Sequence, residues 1–136
     1  MVVYLDANIF IFPVICDDLR AQKSFALLKK VVLGELSAVT SSLTLDEVAW
    51  ALLKFTHDRT LSIAETLKIL TFDNLQIMPV DQQIMYDAFQ LMKKYSSLKP
   101  RNAIHISVAL HSHATVFISD DSDFAFVKEI KYQSLL

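Results

Sequence analysis

Short apolar runs along the chain alternate with longer segments in which apolar residues recur at helical spacing. Four runs, over residues 2–5, 37–40, 75–78 and 115–118, are rich in β-branched and aliphatic residues and predict buried parallel strands. Helices are predicted over residues 17–32, 44–55, 62–70, 81–95 and 103–111, and a last edge strand over 131–133. Strands that alternate with helices in this way predict an α/β fold with a central, mostly parallel sheet flanked by helices.

Two residues mark where predicted helices begin or end. Gly34, the only glycine, is placed to end the helix whose apolar stripe comprises Phe25, Leu28 and Val32. Asp81 has the position and side chain of a helix N-cap.

The composition indicates one ordered domain over residues 1–136. With 53% apolar residues, a chain of 136 can bury a core of its own. Cys16 is the only cysteine, which excludes a disulfide within the chain and a multi-cysteine metal site. No apolar run approaches the roughly 20 residues that span a bilayer, and no basic residue precedes Asp6 as in a signal peptide. We therefore expect a soluble, cytoplasmic protein with no membrane partner.

Acidic residues concentrate where the predicted strands end. Asp6 follows the first strand, Asp121 and Asp123 follow the fourth, and Glu47 lies near the start of the helix after the second. The carboxyl ends of parallel strands share one edge of a sheet, where α/β proteins place their sites. Converging carboxylates repel one another unless a hard cation lies between them, and Mg²⁺ and Mn²⁺ prefer oxygen ligands. The pattern predicts a divalent-metal site able to activate water for displacement at phosphorus.

The net charge of −2 argues only weakly against a polyanionic substrate. Without the four acids at the strand and helix ends, the remaining charged residues sum to +2. A cation in the acidic site would therefore leave a mildly basic rim around it.

Purely structural interpretations of these residues also exist. Asp6 fits an N-cap of a following helix, and Thr44-x-x-Glu47 matches a capping box with Glu47 at the third helical position. The acids after the fourth strand fit a solvated turn. His105, on an apolar helix face, fits a packed core histidine.

Four segments in chain order carry a family resemblance. They are Tyr-Leu-Asp-Ala-Asn at 4–8, Thr44-x-x-Glu47, Pro-Arg-Asn-Ala-Ile-His at 100–105, and Ser-x-Asp-x-Asp-Phe at 119–124. Together they resemble the PIN-domain ribonucleases, most closely the small VapC-like toxins of toxin–antitoxin pairs. The resemblance covers the whole chain and implies a PIN fold and Mg²⁺- or Mn²⁺-dependent cleavage of RNA. It further implies a cognate antitoxin and a homodimer, and the apolar surplus of the chain is in keeping with such interfaces.

The resemblance also implies roles for individual residues. The implied catalytic positions are Asp6, Glu47, Asn102 and Asp121, of which Asp6, Asn102 and Asp121 would bind metal, with Asn8, Ser119 and Asp123 as supporting residues. Lys99 and Arg101, which flank this segment, are candidates for contacts with substrate phosphates, with an exposed helix start as the alternative.

Asn102 departs from the family pattern, in which Asp is usual at this position. An amide oxygen can coordinate a metal but carries no charge, so the departure predicts weaker metal binding and weak or absent cleavage. Either the chain is naturally weak or noncatalytic, or the Asn was introduced to disarm a toxic nuclease.

Two other functions fit parts of the pattern. A noncatalytic PIN-type module that binds RNA or protein is compatible with Asn102. A haloacid-dehalogenase-like phosphatase also places an Asp after the first strand, but it needs a second Asp where this chain has Asn8.

Overall fold

The central layer of the molecule is a five-stranded sheet in which every strand is parallel to its neighbours. The computed structural model describes residues 1–136. The strands are β1 (Val2–Leu5), β2 (Ser37–Ser41), β3 (Leu75–Met78), β4 (Val116–Ser119) and β5 (Tyr132–Ser134). Their spatial order is β3-β2-β1-β4-β5, so β1 lies at the centre and β3 and β5 form the edges. The predicted strands and the parallel sheet are confirmed, with boundaries shifted by no more than one residue.

Six α-helices and one short 3₁₀ turn surround the sheet. They are α1 (Ala7–Ile15), α2 (Leu19–Val32), α3 (Ser42–Thr56), α4 (Arg59–Ile69), α5 (Gln82–Lys94) and α6 (Pro100–His111), with the 3₁₀ turn at Ser122–Phe124. The five predicted helices are confirmed, and α1 is an addition. None of the helices is both long enough and apolar enough to cross a membrane.

The helices cover both faces of the sheet, which explains why the central strand β1 does not alternate between apolar and polar residues. Along β1, Val3 and Leu5 pack into the core beneath α1, α2 and α3, whereas Tyr4 points to the opposite core beneath α5 and α6. A strand buried on both faces needs apolar residues at every position rather than at alternate ones.

Two residues of the apolar stripe of α2, Phe25 and Val32, lie on the surface, whereas Leu28 packs against the core. Among the large apolar residues of α2, Val31 is fully buried, whereas Phe25 is 63% exposed. Phe25, Leu28 and Val32 line an open groove of about 350 Å³ together with residues of α1, α3 and α4 and with Phe72. We call this the apolar groove. The helix thus has an apolar face that the fold itself leaves uncovered.

The predicted capping box at Thr44 is wrong. β2 ends at Ser41 and α3 begins at Ser42, so no loop separates strand from helix. Ser41 is the N-cap, and the Thr44 hydroxyl is buried in a hydrogen bond of 2.6 Å with the Thr40 hydroxyl. Glu47 therefore lies in the second turn of α3, where the charge of a helix N-terminus has largely faded. Its carboxylate does not cap the helix and is free to make contacts at the carboxyl edge of the sheet.

The two predicted helix boundaries are confirmed. Gly34 follows the end of α2 with φ of 80°, a backbone conformation that residues with a Cβ rarely adopt. The Asp81 carboxylate accepts a hydrogen bond of 2.9 Å from the Ile84 N–H and so caps α5.

Candidate active site

A cleft of about 290 Å³ lies at the carboxyl edge of the sheet, where β1 and β4 end. Four segments that are distant in sequence supply its walls: the start of α1, the middle of α3, the first turn of α6 and the residues after β4. The polar and aromatic lining residues are Asp6, Asn8, Glu47, Trp50, Arg101, Asn102 and Asp121. We call this the acidic cleft. The four positions predicted as catalytic thus all face one space.

Asp6 is the most deeply placed of the acids, with only 7% of its surface exposed. It is the N-cap of α1 and accepts a hydrogen bond of 2.8 Å from the Ala7 N–H. Its other oxygen accepts from the Ser119 hydroxyl at 2.6 Å. Burial raises the pKa of Asp6 above its ordinary value, because the hydrogen bonds and the nearby His105 offset the loss of water only in part.

Asn8 and Ser119 join the ends of β1 and β4 around Asp6. The Asn8 amide donates to the Ser119 hydroxyl at 3.1 Å and to Asp6 at 3.3 Å. The Ser119 hydroxyl also accepts from the Asp121 N–H at 3.0 Å. Two of the three residues predicted as supporting therefore contact the carboxylate of Asp6, and one of them, Ser119, also contacts the backbone of Asp121.

His105 is the site residue that sequence reasoning missed. It is fully buried, as predicted for a core histidine, but its Nε2 donates to the Glu47 carboxylate and lies 3.6 Å from an Asp6 oxygen. Burial alone would lower the pKa of His105, yet the hydrogen bond to Glu47 and the charges of both acids raise it above the ordinary value. His105 follows Asn102 by three residues, and that spacing on one helix face was a usable signal.

Tyr4 forms the far end of this hydrogen-bonded chain. Its hydroxyl and His105 Nδ1 are 2.6 Å apart, and both groups are fully buried. A histidine that is hydrogen-bonded at both nitrogens has a fixed ring orientation. The carboxylate of Glu47 is therefore positioned through His105 by a residue of the central strand.

The remaining predicted residues divide between the cleft and the outside. Asn102 and Arg101 lie in the first turn of α6 and line the cleft, as does Asp121, whose carboxylate accepts from the Asp123 N–H at 2.9 Å. The side chain of Asp123 is exposed and outside the cleft, so its contribution is that backbone N–H. Lys99 is an exposed residue before α6 and does not line the cleft either.

The donor set of the cleft fits a divalent cation. Ligand atoms of Asp6, Glu47 and His105 lie within 4.8 Å of one another. Both nitrogens of His105 are engaged in hydrogen bonds, so the oxygens of the two acids are the donors of this group. Asp121 is outside this tight group but adds a carboxylate to the same cleft, and Asn102 adds an amide oxygen. Asp6 and Glu47 have no lysine or arginine partner, and the ion-pair partner of both is His105. Clustered carboxylate and amide oxygens suit a hard metal ion.

Comparison with protein families gives one match, to the PIN domain model, over residues 3–130. A comparison with curated protein sequences finds no match.

Solved structures with the same fold include several toxin–antitoxin proteins. The structure of VapBC2 from Rickettsia felis bound to a promoter DNA fragment matches with a TM-score of 0.74 and 14% identity, over 98% of each chain. VapC20 of Mycobacterium tuberculosis, described as a toxin that cleaves the sarcin-ricin loop, matches with a TM-score of 0.76 and 12% identity, over 93% of this chain and 95% of that one. VapBC-1 of nontypeable Haemophilus influenzae matches with a TM-score of 0.72 and 18% identity, over 99% of this chain and 98% of that one.

At these identities the structural likeness establishes the fold, which is that of the VapC-type toxins. The family match spans nearly the whole chain and includes every segment that forms the acidic cleft. On that basis, this protein belongs to the PIN-domain family.

Proposed function

We propose that the chain is a divalent-metal-dependent endoribonuclease of the toxin type, with Mg²⁺ or Mn²⁺ as its cofactor. The observation that carries this proposal is the acidic cleft, in which Asp6, Glu47 and Asp121 converge from three separate segments. Burying Asp6 costs free energy, as its raised pKa indicates. A cost of that kind is typical of a functional site rather than of a stabilising one.

The residues of the cleft have separable roles in this proposal. Asp6, Asp121 and the Asn102 amide would hold the metal, which when bound supplies an activated water and stabilises charge at phosphorus. Ser119 and Asn8 orient Asp6 through direct hydrogen bonds. His105 orients Glu47.

Arg101 is the cationic group of the cleft and is suited to a substrate phosphate. It is exposed and lines the same space as the acids. A guanidinium binds a phosphate with two parallel hydrogen bonds. Lys99 lies outside the cleft, and we assign it no more than a general attraction for RNA.

An antitoxin partner is supported by the apolar groove. The groove exposes Phe25 and Val32 beside Phe72, and a small protein in isolation rarely leaves such a surface open. The solved toxins of the same fold include VapBC and FitAB complexes with their antitoxins. We propose that an apolar segment of a cognate antitoxin covers this groove.

Replacing Asn102 with Asp tests the nuclease function. Asn102→Asp should strengthen Mn²⁺ binding and raise the rate of RNA cleavage by about 10²-fold or more. The reason is that a carboxylate about 4 Å from a cation gains several kcal/mol at an effective dielectric of about 20, and each 1.4 kcal/mol is about tenfold. Calorimetric Mn²⁺ titration and cleavage of a labelled RNA measure the two effects.

Asp6→Asn and Asp121→Asn, each made in the Asn102→Asp protein, are the matched controls. Both should abolish the restored cleavage. If the unaltered chain cuts RNA as fast as Asn102→Asp, position 102 is not a working ligand. If Asn102→Asp binds metal yet cuts no RNA, the nuclease proposal is wrong.

Asn102 itself favours a second candidate, a PIN-type module that binds RNA or protein without cutting. With two carboxylates and an amide as ligands instead of three carboxylates, the cleft attracts a cation less strongly. This second function would be supported if the protein binds RNA and the Asn102→Asp variant still does not cleave it.

A further inference from the structure

The acidic cleft contains one large aromatic side chain, Trp50, that no part of the catalytic proposal uses. It lies on α3 three residues after Glu47, so the two side chains emerge from the same helix face about 5–6 Å apart. Trp50 is 61% exposed and contributes little to the core. It is also the only tryptophan of the chain.

The surroundings of Trp50 are different from those of Phe25, another exposed aromatic residue. Phe25 lies in the apolar groove, whose lining is mostly aliphatic and aromatic, with Lys29, Glu65 and Lys68 as its charged members. The acidic cleft instead combines Trp50 with carboxylates, an amide and Arg101. An apolar protein segment would bury these charged groups without pairing them, at considerable cost. A ligand that suits this cleft is flat and apolar in one part and anionic in another.

A nucleotide has both properties. Its base offers a π face to an indole ring, and its phosphate offers oxygens to a metal and to a guanidinium. In a duplex the base faces are already stacked on their neighbours, whereas unpaired bases are free to stack on aromatic side chains.

We infer that Trp50 is a stacking platform for an unpaired base next to the phosphate held in the acidic cleft. The inference rests on the proposed function, since it takes the cleft to bind RNA. It adds a recognition element that is separate from the metal-binding acids.

The fluorescence of Trp50 provides a direct test, because no other tryptophan contributes to the signal. The unaltered protein in Ca²⁺-containing buffer is titrated with a single-stranded 12-mer of adenosine, an abasic 12-mer, and a duplex. Binding is followed in parallel by the anisotropy of fluorescein-labelled RNA, with gels to verify that the RNA stays intact. We expect the adenosine 12-mer to quench the emission, and the abasic strand and the duplex to bind less tightly and quench little.

Variants separate stacking from general attraction. Trp50→Ala should weaken binding of the adenosine 12-mer by about 10- to 100-fold, the usual effect of losing one stacked base. Trp50→Phe should recover much of this affinity. Phe55→Ala is the matched control, because Phe55 lies on the same helix, is 63% exposed and does not line the acidic cleft. It should leave binding unchanged. Both alanine variants should melt within about 2 °C of the unaltered protein.

Several outcomes would overturn the inference without affecting the nuclease proposal. These are RNA binding with no change in Trp50 emission, equal affinity for the adenosine and abasic strands, or equal effects of Trp50→Ala and Phe55→Ala. A change in sedimentation of Trp50→Ala with unchanged RNA affinity would assign Trp50 to a protein interface instead. Failure of Asn102→Asp to cleave RNA is the separate result that refutes the proposed function.

Discussion

At the scale of single residues, a buried chain of hydrogen bonds connects the core to the acidic cleft. It runs from the Tyr4 hydroxyl through both nitrogens of His105 to the Glu47 carboxylate. Each buried polar group in it has a partner, and removing one partner leaves the next group unsatisfied at a cost of about 1–3 kcal/mol. The orientation of a site carboxylate therefore depends on a hydroxyl two groups away.

Tyr4→Phe tests this dependence. The Tyr4 ring stacks on Phe117 with centroids 4.9 Å apart, and a phenylalanine ring preserves that packing. The lost hydroxyl leaves His105 Nδ1 buried without a partner, so the free energy of unfolding should fall by about 1–3 kcal/mol in urea denaturation.

Tyr132→Phe is the matched control for Tyr4→Phe. The Tyr132 hydroxyl donates to the Ser119 carbonyl at 3.2 Å from a half-buried position on the edge strand, where water can replace it. Its loss should cost about 0.5 kcal/mol or less. If both variants lose the same free energy of unfolding, the buried hydrogen bond of Tyr4 stabilises the protein no more than the half-buried one of Tyr132.

At the scale of elements, the sequence predicted most of the fold because local signals and packing agree. Uniform apolar runs marked the inner strands, and Gly34 and Asp81 marked helix boundaries. α1 escaped prediction because its residues are apolar on all sides and Pro13 lies within it, so it has no amphipathic period. The capping box at Thr44 was predicted from a local sequence pattern. That pattern forms a cap only where the helix begins just after the Thr, and here α3 begins at Ser42.

The candidate site was predictable to a similar extent. The acids at strand and helix ends predicted that Asp6, Glu47 and Asp121 would lie at one edge of the sheet, and the resemblance added Asn102. All four residues line the same cleft, since all strands are parallel. The contact of His105 with Glu47 joins residues 58 positions apart. Helical spacing shows which face a residue occupies but not which distant side chain meets it, and this is why His105 was predicted only as a core residue.

Asp81→Ala tests the cap of α5 as an element-scale feature. Loss of the carboxylate leaves the Ile84 N–H without its acceptor and should lower the free energy of unfolding by about 1 kcal/mol. Asp81→Asn keeps an acceptor oxygen and should change stability by only a few tenths of that amount. Thermal and urea denaturation measure both variants, and an equal loss in the two would mean that charge, not capping, is the source of the effect.

At the scale of the whole molecule, much apolar surface remains exposed after folding. Large apolar side chains at least 49% exposed include Phe25, Phe55, Ile63, Leu67, Tyr86 and Phe89, on α2 to α5. A chain of 15.4 kDa with so much uncovered apolar area is suited to association.

We predict a homodimer on these grounds. Sedimentation velocity at protein concentrations on the order of tens of micromolar should give twice the mass of the 15.4 kDa chain. High salt should leave the dimer intact, because an apolar interface is not weakened by screening. A monomer throughout this concentration range would contradict the prediction.

The hydrogen bond between Ser119 and Asp6 links residues 113 positions apart, across the central pair of strands. Proteins are synthesised from the N-terminus, so Asp6 and Glu47 leave the ribosome long before Ser119 and Asp121 do. Until β4 docks beside β1, Asp6 lacks its hydroxyl donor and the cleft lacks one wall. The acidic cleft is therefore completed only when synthesis of the chain is almost finished.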